Sequence, residues 1–336
     1  MTEDVNDLVV VGWDGAKWVN LGNTEILQTF GTGTVTSSSV IPNTYDAFTF
    51  GVLDSDGDGV PDSQDTDPFD PCSPDNNSDA CQNRVCVTVQ TSVFLEGALQ
   101  TGGIGQFGDE MRSTLNNFGY LPGQRPKTLL GVATDAGQPY DILPWFYSGQ
   151  EGLEYDAFGN GASELYPGNG VDWVLVSLRT RQNVESTVCT QSALLLNTGE
   201  VYFTEFFDCC DMNDDEYYIV IEHRNHLPVM TPTPMPLVNG VVAFDFRESN
   251  SFVRLLGNGQ KEVKPGVFAM YAGNGDQFTA PDSPSDINAN DISLWAKDNG
   301  KHSGYYFQDY DLSGDVNVHD KATWLTNNGV FTDVDR

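Results

Sequence analysis

Residues 171–176 of the chain read VDWVLV, a short apolar run that one acidic side chain interrupts. Runs of this length and composition are typical of strands buried in a sheet. Similar runs stand on both sides of it, at residues 85–89, 188–196, 201–203, 217–221, 241–246 and 267–271. Because no sustained helical period separates them, the pattern predicts a mainly β protein whose main domain is an antiparallel β-sandwich.

Changes of composition divide the chain into four predicted segments. Residues 1–53 are an N-terminal β segment, 54–84 an acidic linker, 85–272 the sandwich domain and 273–336 a small helical module. Fifty residues make a thin core, so we expect the N-terminal strands to pair with another domain or subunit. Long glycine-rich loops at 98–168, with a short helix near 110–116, interrupt the sandwich and are a natural place for recognition.

The chain is strongly acidic, with 48 Asp and Glu against 16 Lys and Arg in 336 residues and a formal charge of −32. Binding to nucleic acids and anionic membrane surfaces depends largely on Lys and Arg, so we expect neither function. No apolar run reaches the roughly 18 residues that predict a membrane span. The N-terminus lacks the pattern of a secretory signal, which predicts either a removed leader or a longer parent chain.

Six cysteines stand at positions 72, 81, 86, 189, 209 and 210. An even number in an extracellular protein predicts disulfides, with free buried thiols as the alternative. A local disulfide between Cys72 and Cys81 would hold the polar loop that they enclose. One of the adjacent Cys209 and Cys210 can pair with Cys189 across neighbouring strands. A zinc site is not expected, because no second Cys or His pair has the required spacing.

Residues 54–65, DSDGDGVPDSQD, have the residue order of a calcium loop, and the alternative is a solvated acidic linker. Carboxylates fall at loop positions 1, 3, 5, 9 and 12, glycine stands at position 6, and position 7 offers a backbone carbonyl. The predicted ligands are Asp54, Asp56, Asp58, Val60, Asp62 and Asp65.

With the continuation to Cys81, this stretch resembles a thrombospondin type 3 calcium repeat. The resemblance implies a structural calcium segment instead of a switch, with Asp65, Asp67 and Asp70 sharing a second ion.

A second calcium loop is predicted at residues 309–320, DYDLSGDVNVHD, where a helix is expected to begin at its last residue. Its predicted ligands are Asp309, Asp311, Ser313, Asp315, Asn317 and Asp320. Residues 291–300 and 320–329 form a repeat at a spacing of 29, each copy starting with Asp, centred on Trp and ending in Asn-Gly.

The first copy of the repeat follows Asp286, Asn288 and Asn290, three further predicted ligands. This segment is too short for twelve loop positions, so we expect Asp276 or Asp282 to complete a site there. The whole stretch 286–329 resembles a dockerin, a paired calcium-loop and helix module that docks to cohesins.

Together with residues 172–176 and 222–231, the chain resembles the C-terminal region of secreted adhesin-like or hemagglutinin-like surface proteins of the Bacteroidetes type. This resemblance implies an extracellular, cell-surface location and adhesion, and it gives no biochemical activity. The partners that we expect are other copies of the chain, in a filament or assembly, or other surface proteins.

The sequence contains no GxSxG, HExxH or phosphate-binding loop motif, so we expect no enzymatic activity. His223 and His226 would face opposite sides of one strand, which favours structural roles over metal binding. The alternative function is a carbohydrate-binding module or an accessory region of a polysaccharide-degrading enzyme. It would use the aromatic stretch 140–155 to stack on sugar rings, and core packing is the simpler explanation of those aromatics.

Overall fold

The structure is a computed structural model that describes residues 8–13, 15, 18–22, 25–29, 32–37, 45–52, 60–61, 64, 87–159, 164–204, 214–253, 257–277 and 285–335. The chain forms two compact units, residues 1–84 and 85–336. The prediction of a mainly β protein with antiparallel sheets is confirmed in both units.

The first unit consists of short strands, which are β1 (Leu8–Trp13), β2 (Trp18–Asn20), β3 (Glu25–Thr29), β4 (Thr32–Thr36) and β5 (Ala47–Val52). Strands β2, β1 and β5 form a three-stranded antiparallel sheet in that order, and β3 pairs with β4. Strand β5 is an edge strand, and its alternate side chains Phe48, Phe50 and Val52 are exposed. Among the described residues of this unit, β5 pairs with β1 alone, so its exposed apolar side chains stand on an edge strand.

The second unit contains ten strands in its described residues. They are β6 (Thr88–Ser92), β7 (Gly170–Arg179), β8 (Thr187–Leu196), β9 (Val201–Tyr202), β10 (Glu216–His223), β11 (His226–Met230), β12 (Met235–Pro236), β13 (Val241–Asp245), β14 (Lys261–Lys264) and β15 (Val267–Ala269). The large sheet is antiparallel, with the order β11-β10-β7-β8-β9 and β12 beside β10. Strand β6 pairs in parallel with β13, so the prediction of purely antiparallel sheets misses this pair.

Strand β7, which contains the run 171–176, lies at the centre of the large sheet, and all of its residues are buried. Its apolar side chains belong to one core that also includes residues from β6, β8, β10 and β13. A strand that is buried on both faces reads as a continuous apolar run instead of an alternating one. The sequence pattern and the central position of β7 thus agree.

Four α-helices lie in the described part of the second unit, which are α1 (Glu96–Leu99), α2 (Thr114–Phe118), α3 (Ala289–Asp298) and α4 (Val318–Asn327). Helix α2 lies close to the predicted short helix, whereas α1 was not predicted. None of the helices in the residues that the structure describes is long and apolar enough to pass through a bilayer.

Helix α4 is tied to α1 through buried polar contacts. Asn327 donates a 2.6 Å hydrogen bond to the carboxylate of Glu96, which also pairs with Lys261. Gln100, directly after α1, donates to the hydroxyl of Thr323 at 3.0 Å. Residues 285–335 therefore pack against the β domain as part of one compact unit with it.

Cys189 on β8 is disulfide-bonded, and the other five cysteines lie outside the described residues. The predicted pairings therefore stay predictions.

Candidate metal centre

Three buried carboxylates meet at the start of helix α4. One ligand oxygen from each of Asp309, Asp311 and Asp320 lies within 4.8 Å of the others. Buried acidic side chains are rare unless they are paired or coordinate a metal. Within the described residues, this is the one place where three acidic or other metal-binding side chains come so close, and the triad could hold a metal ion.

The first half of the loop folds around the carboxylate of Asp309. Its two oxygens accept hydrogen bonds from the backbone N–H of Ser313 at 2.9 Å and of Gly314 at 2.7 Å. Gly314 has a φ of +88°, and an added Cβ would lie 2.6 Å from the ring of Tyr120. Only glycine combines this left-handed backbone with so close an approach, which is why position 6 of the loop needs it.

The second half of the loop ends in a capped helix. Asn317 is the N-cap of α4, and Asp320 completes a capping box by accepting from the backbone N–H of Asn317 at 2.7 Å. The other oxygen of Asp320 accepts from the backbone N–H of Asp311 at 3.1 Å. Asp320 therefore links the two ends of the loop, and its carboxylate is one of the three in the triad.

The triad carries more negative charge than its protein surroundings compensate. Burial, and then the neighbouring carboxylates Asp320 and Asp311, raise the pKa of Asp309 well above its ordinary range. Burial and Asp311 likewise raise the pKa of Asp320 to about 7. Arg224 opposes the shift at Asp309, and Arg112 lies 3.6 Å from Asp311. A bound cation would supply the missing positive charge.

The donor set around the triad consists of oxygen atoms. Besides the three carboxylates, the loop offers the hydroxyl of Ser313, which lies 3.3 Å from the backbone oxygen of Asp315. The side-chain oxygen of Asn317 instead caps helix α4 by accepting from the N–H of His319 at 2.8 Å, and the carboxylate of Asp315 accepts from the N–H of Ser303 at 2.8 Å. Oxygen donors at these loop positions suit a hard divalent cation.

The second unit contains a related half-site at the start of α3. Asp291 is buried, and its oxygens accept from the backbone N–H groups of Asn288 at 2.7 Å, Gly275 at 2.7 Å and Asp276 at 3.1 Å. Burial, and then the nearby Asp276, raise the pKa of Asp291 to about 7. Its environment thus matches that of Asp320.

The two halves of the C-terminal module complete each other. The indole N–H of Trp295 donates to the backbone oxygen of Asn317, and that of Trp324 donates to the backbone oxygen of Asn288, both at 2.9 Å. Each tryptophan therefore fixes the N-cap residue of the other helix. The 29-residue repeat corresponds to this approximate two-fold arrangement.

Asp276, upstream of the first repeat copy, contacts Asp291 at the start of α3. Asp276 reaches Asp291 across 15 residues, whereas Asp311 reaches Asp320 across nine, so the first loop is six residues longer than the second. Asp276, one of the two residues expected to complete the first site, thus contacts Asp291 through its backbone N–H, and calcium binding there stays a prediction. Asp282 lies outside the described residues.

The remaining predicted ligands of this half are arranged less compactly. Asp286 accepts a 2.7 Å hydrogen bond from the side-chain amide of Asn288. Asn290 donates its backbone N–H to Asn288 and is exposed. These residues do not join a triad like that of the second loop.

The predicted linker site falls largely outside the described residues. This applies to Asp54, Asp56, Asp58, Asp62, Asp65, Asp67 and Asp70. Val60 is described and is half-buried. The linker calcium site therefore stays a prediction.

The triad is attached to the sheet by the turn between β10 and β11. Asn225 donates its side-chain N–H to the backbone oxygen of Asp309 at 2.7 Å, and Arg224 donates to the backbone oxygen of Tyr306. On the other side, Arg112 donates to the backbone oxygens of Asp311 and Gly97. The loop 309–320 is thus held between two segments of the β domain, a feature that the sequence did not indicate.

A buried ion pair between Arg224 and Asp172 also holds the turn between β10 and β11 in place. Asp172 of β7 accepts from Arg224 at 2.9 Å, from the ring of His223 at 3.2 Å and from the hydroxyl of Tyr305 at 2.6 Å. Burial alone would raise the pKa of Asp172, but Arg224 and the hydrogen bonds outweigh it and lower the pKa to about 2. The one acidic side chain in the run VDWVLV is therefore a charged anchor for the turn.

The prediction that His223 and His226 face opposite ways is wrong. They stand opposite each other on β10 and β11, with ring centroids 4.7 Å apart, because the turn at 224–225 places them in register. His226 accepts from the N–H of Gly97 at 3.3 Å, and burial lowers the pKa of both imidazoles. We therefore assign them as neutral members of a hydrogen-bonded network.

A scan against protein-family models finds no match, and a search of the curated proteins finds none either. Among solved structures, the chain is similar to a type II cohesin–X-dockerin complex from Acetivibrio cellulolyticus, an N-terminal interface mutant. The similarity covers 47% of this chain and 82% of that chain, at 13% sequence identity and a TM-score of 0.29. A TM-score this low carries no argument about fold or function.

Proposed function

We propose that the protein is an extracellular, calcium-stabilised structural or adhesive component of a cell surface. The observation that carries this proposal is the buried triad of Asp309, Asp311 and Asp320, which lies where the C-terminal module meets the β domain. An ion at this place would stabilise the contact between the module and the sheet instead of serving a reaction.

Calcium suits the loop better than other common ions. The donors are oxygen atoms in a twelve-residue loop with glycine at its sixth position. Magnesium prefers a rigid octahedral site and retains several waters, whereas zinc prefers nitrogen and sulfur ligands. The predicted linker site at 54–70 would add further calcium within the first unit, in keeping with its resemblance to a thrombospondin type 3 repeat.

Self-association is supported by the edge strand of the first unit. Phe48 and Phe50 of β5 are 57% and 61% exposed, and both lie on the face that Val52 continues. An exposed apolar edge strand is a template for pairing with another chain. We therefore propose other copies of the chain, or other surface proteins, as its partners, and disulfides as additional stabilisation outside the cell.

The calcium proposal is tested by calorimetric titration and thermal unfolding of the full chain. Calcium is expected to raise the melting temperature, with a stabilisation of about 2.7 kcal/mol at a hundredfold excess over Kd. Asp309→Asn should remove the contribution of this loop, whereas Asp135→Asn, a change at an exposed residue, should not. Unchanged melting of the parent chain on chelation would contradict the proposal.

Self-association is tested separately by sedimentation velocity with calcium present. The parent chain is expected to form larger species as its concentration rises, and Phe50→Lys should suppress them. A monodisperse monomer at high concentration would contradict the assembly proposal and leave the calcium proposal standing.

A further inference from the structure

A cavity of about 340 Å³ lies between the loop 144–148 and the large sheet. This loop supplies the aromatic walls Trp145, Phe146 and Tyr147, and the sheet supplies the floor. A volume of this size is at the lower end of small-ligand sites. The cavity is distinct from the metal triad, because none of the triad residues lines it.

The loop that forms the walls is held rigidly. The backbone N–H of Tyr147 donates to the oxygen of Tyr140 at 2.9 Å, and the side chain of Gln138 donates to the backbone oxygens of Tyr147 and Gly149. Tyr140 is fully buried and donates its hydroxyl to the backbone oxygen of Trp173 on β7 at 2.7 Å. The aromatic walls are therefore positioned by the sheet itself.

Phe146 is exposed at the mouth of this cavity although its backbone is strained. Its φ is +46°, a left-handed conformation that is costly for a bulky residue, and its side chain is 68% exposed. Burial does not compensate this strain, since the ring remains in water. A rigid loop that presents a strained, exposed aromatic ring is typical of a binding site.

The floor of the cavity combines the apolar side chain of Leu175 with polar groups of both charges. Glu222 and Arg179 are buried at 7% and 2% exposure, and the hydroxyls of Ser177 and Thr190 lie 2.9 Å apart. The floor therefore offers carboxylate acceptors, guanidinium donors and hydroxyls that serve as either. Such a set suits a ligand with many hydroxyl groups and no net charge.

We propose that this cavity binds a neutral sugar residue of a polysaccharide. The aromatic ring of Phe146 would pack against the C–H face of the sugar, while Glu222, Arg179 and Thr190 exchange hydrogen bonds with its hydroxyls. An acidic sugar is disfavoured because the chain carries a formal charge of −32. This recognition goes beyond the structural function proposed above and does not depend on the metal triad.

The test is calorimetric titration of the full chain with neutral oligosaccharides of glucose, galactose, mannose, xylose and N-acetylglucosamine, and with uronic-acid oligosaccharides as the charged set. A neutral oligosaccharide is expected to bind. Phe146→Ala and the isosteric Glu222→Gln are each expected to weaken this binding at least tenfold. Phe118→Ala removes another partly exposed aromatic ring, which does not line the cavity, and should leave binding unchanged.

Three results would overturn the proposal. These are no binding of any neutral sugar, stronger binding of the uronic-acid set, and neutral-sugar binding that both cavity variants retain. Because a misfolded variant would also lose binding, the melting temperature of each variant in calcium is compared with that of the parent. Chelation of calcium should leave sugar affinity within a factor of about two at temperatures where the chain stays folded, which separates this proposal from the calcium proposal.

Discussion

The side chain of Asn225 donates a hydrogen bond to the backbone oxygen of Asp309, although 84 residues separate them in the sequence. Asn225 is fully buried in the turn between β10 and β11, and Asp309 is the first residue of the loop 309–320. The bond fixes the position of the triad relative to the sheet. Metal binding and the packing of the C-terminal module are therefore expected to depend on each other.

Asn225→Ala is expected to lower both the free energy of unfolding and the calcium affinity. The change leaves the buried backbone oxygen of Asp309 without this donor, which costs about 1–3 kcal/mol. Urea unfolding in calcium and calorimetric titration measure the two effects. Asn117→Ala, at an exposed residue of α2, should change neither by a comparable amount. Equal stabilities of the two variants would show that the bond does not stabilise the loop.

Gly314→Ala is expected to weaken calcium binding at least tenfold. Alanine would be strained in the left-handed backbone of this position, and its Cβ would lie 2.6 Å from the ring of Tyr120. Gly300→Ala is a matched control, since Gly300 also has a positive φ, +96°, but no atom lies within 4 Å of the new Cβ. It should lose only about 1 kcal/mol from backbone strain. The prediction is wrong if both variants bind calcium alike.

Calcium affinity is expected to fall as the pH is lowered through about 7. The pKa of Asp320 in the metal-free protein is raised from 3.8 to about 7, so a proton competes with the ion below that pH. Without metal, lowering the pH is instead expected to raise the free energy of unfolding. Because the pKa of Asp320 is higher in the folded state than in the unfolded state, binding of its proton stabilises the fold. This contribution is complete below pH 3.8 and is lost as the pH rises through about 7.

The measurement is calcium titration at pH 8, 7, 6 and 5, with chelated samples melted at each pH. Asp135→Asn should follow the parent curve throughout. A dissociation constant that stays the same between pH 8 and pH 5 would disprove the competition.

Trp295→Phe is expected to affect the metal loop of the opposite half. It keeps an aromatic ring in the core but removes the hydrogen bond to the backbone oxygen of Asn317, at a cost of about 1 kcal/mol. Asn317 lies in the loop 309–320, so calcium affinity of this loop should fall as well. Trp324→Phe removes the equivalent bond to Asn288 and is expected to cost similar stability with a smaller effect on this loop.

The local parts of the metal centre could be predicted from the sequence, but its attachment to the sheet could not. The order of donors in residues 309–320 and the glycine at its sixth position act within twelve residues, so the spacing alone defines the loop. The buried run of β7 was recognisable for the same reason.

The contacts that were missed join residues distant in sequence. Arg112 reaches Asp311 across 199 residues, and Asn225 reaches Asp309 across 84. These contacts depend on strand pairing and loop path, which a local residue pattern does not determine.

The hydrogen bonds of Trp295 to Asn317 and of Trp324 to Asn288 have a consequence for the history of the C-terminal module. Each copy of the repeat holds the N-cap of the other, so a single copy would leave an indole N–H and a helix start unsupported. Duplication of one ancestral helix-loop unit would produce both copies at once, but later loss of either would remove the support of the one that remained. The two copies are therefore expected to be inherited as a pair, while their loops diverge in length.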